Sequence, residues 1–485
     1  MTPPTVASDA APAAAEDSNR FGLGAAIALI MGSIIGVGVF NLPTSLAPYG
    51  PITIVSMALT TVGALVLAIL FSALSRRIPA DGGPYAYARV AFGNPLGFMN
   101  AWSYWITAWA GNAAIAVGWV LYVEHFINKD HAKWASILLV LAGLWAAAFV
   151  NLSGAKNMAS IQMLTTILKF AALLFMSTVG LFFIEGSNYT PWNVSTQSTV
   201  AAIGSGMAIA LFSYIGVETA SVAAGKVRDP DRNVGRATIL GTLATAAVYM
   251  LSLIAIFGIL SNSQLQSTNE PFSTAANEIF GGSWAGDVMA ILVIVSGLGS
   301  LNGWTMICAE MPLAAANDGL FPEQFKRLNK AGVPAFGIIT STALASVAMG
   351  LNYMGSGGAN AFTTLILMTG ITAAIPYLFS AAAQLKWRWI DRKQGQGARF
   401  VRDTTVAVLA MVFSVLFIVY SRNTGAQGQR SMGQIFHHDW GSWAEWMPFV
   451  LSAVALVLGI PVYRRQKSKM TEPGPVPPYR EPTKG

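Results

Sequence analysis

The chain has 485 residues, 54% of them hydrophobic and only 11% charged, with a mean hydropathy of +0.53. A soluble domain carries about 25% charged residues, so this composition excludes an ordinary soluble enzyme. The net charge of +7 is small for a chain of this length, and the single cysteine, Cys308, excludes an internal disulfide.

Residues 1–20 are rich in Ala, Pro and Thr, and Asp9, Glu16 and Asp17 precede the first apolar run. A secretory signal needs a basic start; this segment reads instead as a disordered tail. Twelve apolar runs follow, at about 23–46, 51–74, 96–122, 134–153, 160–184, 201–222, 237–260, 284–308, 334–353, 360–385, 403–421 and 446–463. Each suits a membrane-spanning helix of about 20 residues. The tail after Tyr463 is basic and then proline-rich, and no separate soluble domain fits between the runs.

The first run contains Gly32-Ser33-Ile34-Ile35-Gly36-Val37-Gly38. Glycine costs a helix interior roughly 1 kcal/mol relative to alanine. Gly32-x-x-x-Gly36 reads either as a packing face for a neighbouring helix or as a helix break, which lipid tolerates only where protein or water satisfies the backbone. The sixth run has its own set: Gly204, Ser205, Gly206, Ser213 and Gly216. Runs 1 and 6 each open a block of five, and an odd-numbered block inverts when repeated. Glycine-interrupted segments at matching positions of two halves point to a transporter site.

Charge predicts the orientation. With the N-terminus inside, the outer loops hold only Lys129, Lys133, Arg422 and Arg430, four of the 29 basic residues, which leaves 25 at the inner side. That is the positive-inside pattern, and twelve spans then place both termini in the cytoplasm. The asymmetry accounts for the net charge without a nucleic acid, and leaves some attraction to anionic lipid.

Several segments resemble the amino acid–polyamine–organocation transporters. They are Gly32 to Phe40 followed by Leu42-Pro43; Gly82-Gly83-Pro84-Tyr85-Ala86-Tyr87-Ala88; Phe212 to Gly225, continued by Asp229-Pro230, Arg232-Asn233 and Ala237; and Asn317-Asp318-Gly319-Leu320-Phe321-Pro322. The likeness covers roughly residues 22–390. Tyr104 to Asn112 and Gly299 to Thr305 look most like the family's basic amino acid and polyamine antiporters, the arginine/agmatine branch.

The resemblance implies an all-α integral membrane protein of 12 transmembrane helices. Ten form a 5+5 inverted repeat with helices 1 and 6 broken near the midplane, and helices 11 and 12 are added. Repeat one is expected at about 22–185, repeat two at about 200–390, helices 11–12 at about 403–463, and a cytoplasmic tail at 464–485. A broken helix offers free N–H groups at one half-helix start and free carbonyls at the other half's end. Gly36, Val37 and Gly38 are therefore expected to hold a substrate carboxylate. The carbonyls of Ile34, Phe212 and Ile215 are expected to hold an α-amino group. The relatives have serine where Val37 stands.

By the same resemblance, Phe212, Trp304, Ala108, Asn112 and Thr369 line the pocket for the distal group, with Phe212 offering a cation–π face. Tyr104, Glu218 and Tyr377 match a cytoplasm-side gate. Ionisable groups inside a membrane are functional candidates by default. Glu218 suits a proton-dependent gate, although an interfacial glutamate capping the inner half-helix is the plainer reading. Lys169 in the fifth run departs from the antiporters. Proton-coupled members of the superfamily carry a lysine there in place of a sodium ion; the plainer reading is a lysine that snorkels to the inner surface.

Other chemistries find little in the residues. His125, His131, His437 and His438 all fall in outer loops without zinc spacing, and no phosphate loop or cofactor motif is present. The expected function is secondary active transport by alternating access in the inner or plasma membrane, exchanging an arginine-like cationic amino acid for its amine product or another diamine. The alternatives are a broader proton-coupled amino acid symporter using Lys169, and a non-transporting sensor or channel on the same fold. Expected partners are the amino acid or polyamine, the lipid bilayer and a second copy in a homodimer.

Overall fold

The structure is a computed structural model that describes residues 22–78, 82–219, 227, 229–355, 358–392, 397–422 and 443–474. The expected tail at 1–20, the sixth run beyond Thr219, and residues 475–485 lie outside the described residues.

Among the described residues nine helices are long and apolar enough to cross a membrane, ten with one bent pair, and Thr199–Tyr214 and Ala335–Leu351 are shorter apolar helices. The bent pair is α1 (Leu23–Ile34) and α2 (Gly38–Leu46), set at 40°. α3 (Thr53–Arg77) leads to a short α4 (Pro84–Phe92), and then come α5 (Asn94–Val123), α6 (Lys133–Leu152) and α7 (Ala155–Thr178). The second half runs through α8 (Thr199–Leu211), α9 (Pro230–Ile259), α10 (Asn262–Ser267), α11 (Pro271–Phe280), α12 (Trp284–Asn317), α13 (Ala335–Gly355) and α14 (Gly358–Asp391). α15 (Gly397–Tyr420), α16 (Trp443–Val457) and α17 (Gly459–Gln466) close the chain. Prolines stand at the first turns of α4, α5, α9 and α11, where a missing N–H costs nothing.

Burial ranks the helices. The apolar window of α5 is wholly buried, whereas those of α15 and α16 are 28% and 22% buried. α5 is therefore the central post, packed against α12 and α14, and α15 and α16 lie at the periphery of the bundle. Two buried ion pairs fasten the basic end: Arg77–Asp391 at 2.5 Å and Arg388–Asp403 at 2.6 Å.

The glycines of runs 1 and 6 divide between the two readings. α8 passes through Gly204 and Gly206 unbroken; added Cβ atoms there would meet the Tyr420 ring at 2.5 Å and Ser56 Oγ at 2.5 Å. These are close-packing positions. The breaks lie later, at residues 35–37 and 212–216.

The chain beyond Tyr463 differs from the unstructured tail that composition predicts. α17 runs to Gln466, a turn follows at Lys467–Lys469, and Met470 packs against the core. Arg89 Nη2 donates to the Thr471 carbonyl at 2.7 Å and to its Oγ1 at 2.8 Å, and Asn94 Nδ2 donates to the same carbonyl at 3.0 Å. Thr471 in turn donates to the Asp318 carbonyl, while Arg89 pairs with the Asp318 carboxylate at 2.6 Å. Fixed donors on α4 and at the start of α5 thus order a segment that cannot order itself. Ending the chain at Gln466 removes four such bonds, each worth about 0.5–1.5 kcal/mol net, and should cost about 2–4 kcal/mol after the entropy of ordering the segment is offset. The readout is a lower melting midpoint in detergent; an unchanged midpoint would mean that the segment only rests on the surface.

Candidate functional site

The first break follows from its residues. α1 ends at Ile34, whose neighbour Ile35 turns extended (φ −72°, ψ 101°), and α2 starts at Gly38. The first N–H groups of α2 have no intrahelical partner and carry the positive end of its dipole. The second break begins where α8 ends at Leu211. A tight turn at Phe212–Tyr214 leads to extended Ile215 and then to Gly216 at φ +118°. The two breaks cross there: a Cβ on Gly216 would lie 2.9 Å from the Ser33 carbonyl oxygen. Only glycine combines that φ with that approach.

Between them lies a small cavity with room for about one water molecule. Ile34, Gly36, Gly38, Phe212, Ile215, Trp304 and Thr369 line it, as the sequence reading expected of the site. Val37, Ala108 and Asn112 do not. Val37 packs its methyls towards Gly118 and Gly297, between α5 and α12. Its missing hydroxyl is thus lost from a helix interface rather than from the cavity wall. Ala108 is fully buried, and Asn112 turns its amide to Thr305 Oγ1 at 2.9 Å.

The cavity is faced by a different stripe of α5, namely Thr107, Gly111 and Ile115, spaced four apart, together with Val39 and Ser213. A helix shows one face with period four, so choosing 108 and 112 implies a stripe rotated by one residue. Composition carries no signal for that rotation. Phe212 meets Phe362 edge-on, 6.2 Å between centroids, and fills the space over Gly38. None of the lining residues is acidic.

The carbonyl end of α1 is occupied by the protein. Lys169, fully buried, donates Nζ to the carbonyls of Gly32 at 3.0 Å and Ile35 at 2.9 Å. Tyr249, which sequence reasoning missed, donates its hydroxyl to the Ile34 carbonyl at 3.0 Å. An α-amino group would share the Ile34 oxygen, using its second lone pair. Lys169 is too deep in the bundle to snorkel.

The three gate candidates meet. Tyr104 donates to Glu218 Oε1 at 2.7 Å, Tyr377 donates to Oε2 at 2.8 Å, and the Gly216 N–H donates to Oε2 at 3.2 Å. All three side chains are buried. One carboxylate therefore joins α5, α14 and the second break. A second, roomier cavity lies between α1, α7 and α12, and Trp304 lines both cavities. Among the described residues no group of His, Cys, Asp and Glu could hold a metal ion.

A helical membrane bundle with two crossing breaks around an acid-free pocket is the arrangement of a small-molecule carrier. The family model described as amino acid permease matches residues 21–461, and the chain belongs to that family. An arginine/ornithine antiporter of Pseudomonas aeruginosa is 31% identical, over 82% of this chain and 86% of the relative. The putrescine transporter PotE of Haemophilus influenzae is 32% identical, over 76% and 84% respectively. A putative arginine/ornithine antiporter of Bacillus subtilis is 31% identical, over 83% and 92%.

Two neighbouring glycines give opposed predictions. A Cβ on Gly38 would lie 2.6 Å from Phe212 Cε1, whereas one on Gly36 would find Ser300 Oγ at 3.7 Å, an ordinary contact. Gly38→Ala should displace the Phe212 ring and weaken binding of a labelled amino acid by about 1–3 kcal/mol, the usual cost of overpacking. Gly36→Ala should bind within a factor of about three of wild type, a change under 1 kcal/mol. Equal losses would remove Phe212 from the pocket wall.

Proposed function

We propose that this permease exchanges a cationic amino acid for its amine product or another diamine, by alternating access. The observation that carries the reading is the small cavity at the crossing of the two breaks, with free backbone groups at its ends and Phe212 and Trp304 at its sides. The N–H groups at 36–38 suit a carboxylate. The carbonyls of Ile34, Phe212 and Ile215 suit an α-amino group. A distal cation would lie against aromatic faces, which attract it without an acidic partner. The names of the relatives, arginine/ornithine antiporter and putrescine transporter, favour the same class. Glu218 with Tyr104 and Tyr377 would close the path below the pocket. We further take the runs as twelve spans in a 5+5 inverted repeat plus two, with both termini in the cytoplasm of a cell whose inner or plasma membrane holds the protein, and a homodimer as the assembly.

A second reading rests on Lys169. Its ammonium holds two carbonyls of the first break, the position from which a proton leaving or joining it would loosen α1. That arrangement favours a proton-coupled amino acid importer.

In proteoliposomes, labelled arginine should enter only when arginine, ornithine or putrescine is trapped inside. Full-rate uptake into empty vesicles would reject exchange, and uptake driven by a proton gradient alone would favour the second reading. Phe212→Ala should weaken cationic substrates by about 1–2 kcal/mol if the ring stacks on the cation, and unchanged affinity would return Phe212 to packing. Lys169→Met leaves two carbonyls of the break without their ammonium. Under exchange it should lower stability and spare the stoichiometry, whereas under proton coupling it should abolish uptake.

A further inference from the structure

The end of the bundle opposite the basic loops carries a small lid. α10 and α11 fold across α2, the half-helix above the pocket. Phe272 of α11 meets Phe40 of α2 edge-on at 4.9 Å, Thr44 Oγ1 donates to the Thr268 carbonyl at 3.0 Å, and Asn262 Nδ2 donates to the Ala47 carbonyl at 2.8 Å. Two glycines with positive φ, Gly281 and Gly282, separate the lid from α12, and an added Cβ at either meets nothing within 4 Å. The lid therefore has a seam against α2 and a joint at its far end.

Besides these contacts and the Gly286 N–H that Asn277 Oδ1 accepts at 2.7 Å, a charged side chain ties the lid to the fixed helices. His125 follows the end of α5; its Nδ1 lies 2.7 Å from Glu270 Oε2 on the lid, and its Nε2 lies 2.6 Å from Asp287 Oδ1 of α12. Nε2 is hydrogen-bonded to Asp287, whereas Glu270 Oε2 faces Nδ1 as a close ion pair outside hydrogen-bond geometry; the ring attracts both carboxylates only when it is protonated. Glu270 shows only 20% of its side chain to solvent, so its pairing is shielded from bulk water.

We propose that His125, bridging Glu270 and Asp287, is a proton-operated latch that holds the lid over the pocket. The placement of this face outside the cell rests on the transport reading above. Deprotonation turns one ring nitrogen into an acceptor aimed at a carboxylate, and the bridge to one side is lost.

The surroundings set the sign. Burial alone would lower the His125 pKa, but the pairings with Asp287 and Glu270 outweigh it and hold the pKa above the ordinary value. Glu270 is raised by burial, against the lowering pull of His125 and His131. His131 itself pairs with Glu124 at 2.6 Å, and Glu124 is held by Asn128 and Ser136. Tyr122 and Tyr353 are the remaining titratable groups that face this cluster. The imidazolium is thus fully present at acid pH and is lost as pH rises through its elevated pKa. On the acid side, protonation of Glu270, whose pKa burial raises, removes its charge. The latch holds between those two titrations and releases towards alkaline pH.

The test reads the lid directly. Ser273 lies on the lid, 1% exposed, and its hydroxyl has no partner among the described residues. Ser273→Cys in a Cys308→Ala background is therefore a nearly isosteric reporter. Labelling by a membrane-impermeant maleimide, normalised at each pH to the unfolded protein, should rise at least about 10-fold from pH 6 to pH 8.5, the worth of one charge-assisted hydrogen bond. His125→Gln should label at the fast rate at all pH values. Asp287→Asn, at a side chain 44% exposed and tolerant of change, should shift the transition to lower pH. A His125→Gln protein that keeps the wild-type pH profile, or a wild-type protein with a flat one, overturns the latch. Because the readout needs no substrate, it fails separately from the exchange assay.

Discussion

The structure turns on one backbone crossing, where Gly216 lies against the carbonyl of Ser33. Each helix breaks within a few residues of that point, and each break leaves polar backbone groups that lipid could not solvate. The protein satisfies them from three directions. Lys169 and Tyr249 take the carbonyls at the end of α1, Glu218 takes the N–H of Gly216, and the cavity leaves the start of α2 for a ligand. The site is thus the part of the break that the protein does not fill for itself.

The Glu218 cluster and the proposed lid between them contact the two breaks. At the basic end, Glu218 joins the second break to α5 and α14 through Tyr104 and Tyr377. At the other end, the lid rests on α2, the continuation of the first break. The close approach of Gly216 to the Ser33 carbonyl couples the two breaks sterically, since neither backbone has room to shift towards the other. Interdependence of that kind is what alternation between two faces requires.

Much of this was legible in the sequence. Runs of about 20 apolar residues located the helices, since little else makes such runs. Glycine in the first and sixth runs located the breaks, although Gly204 and Gly206 belong to packing and only Gly216 to the turn. The rotation of α5 was not legible. Thr107, Gly111 and Ile115 face the cavity in place of Ala108 and Asn112, and that depends on how α5 seats against α12 and α14, which no local pattern encodes. Tyr249 was also silent, because a tyrosine in a membrane helix reads the same whether it packs or donates to a distant carbonyl. The order of residues 464–474 was missed for a similar reason: the donors that fix them, Arg89 and Asn94, stand nearly 400 residues earlier in the chain.

The most direct test of the crossing as the binding site is a cryo-EM map of the protein in lipid nanodiscs with ornithine bound. The account predicts ligand density between the two breaks, its carboxylate within hydrogen-bonding distance of the Gly36–Gly38 amides and its side chain against Phe212 and Trp304. Density confined to the second cavity, between α1, α7 and α12, with the space at the crossing empty, would contradict it.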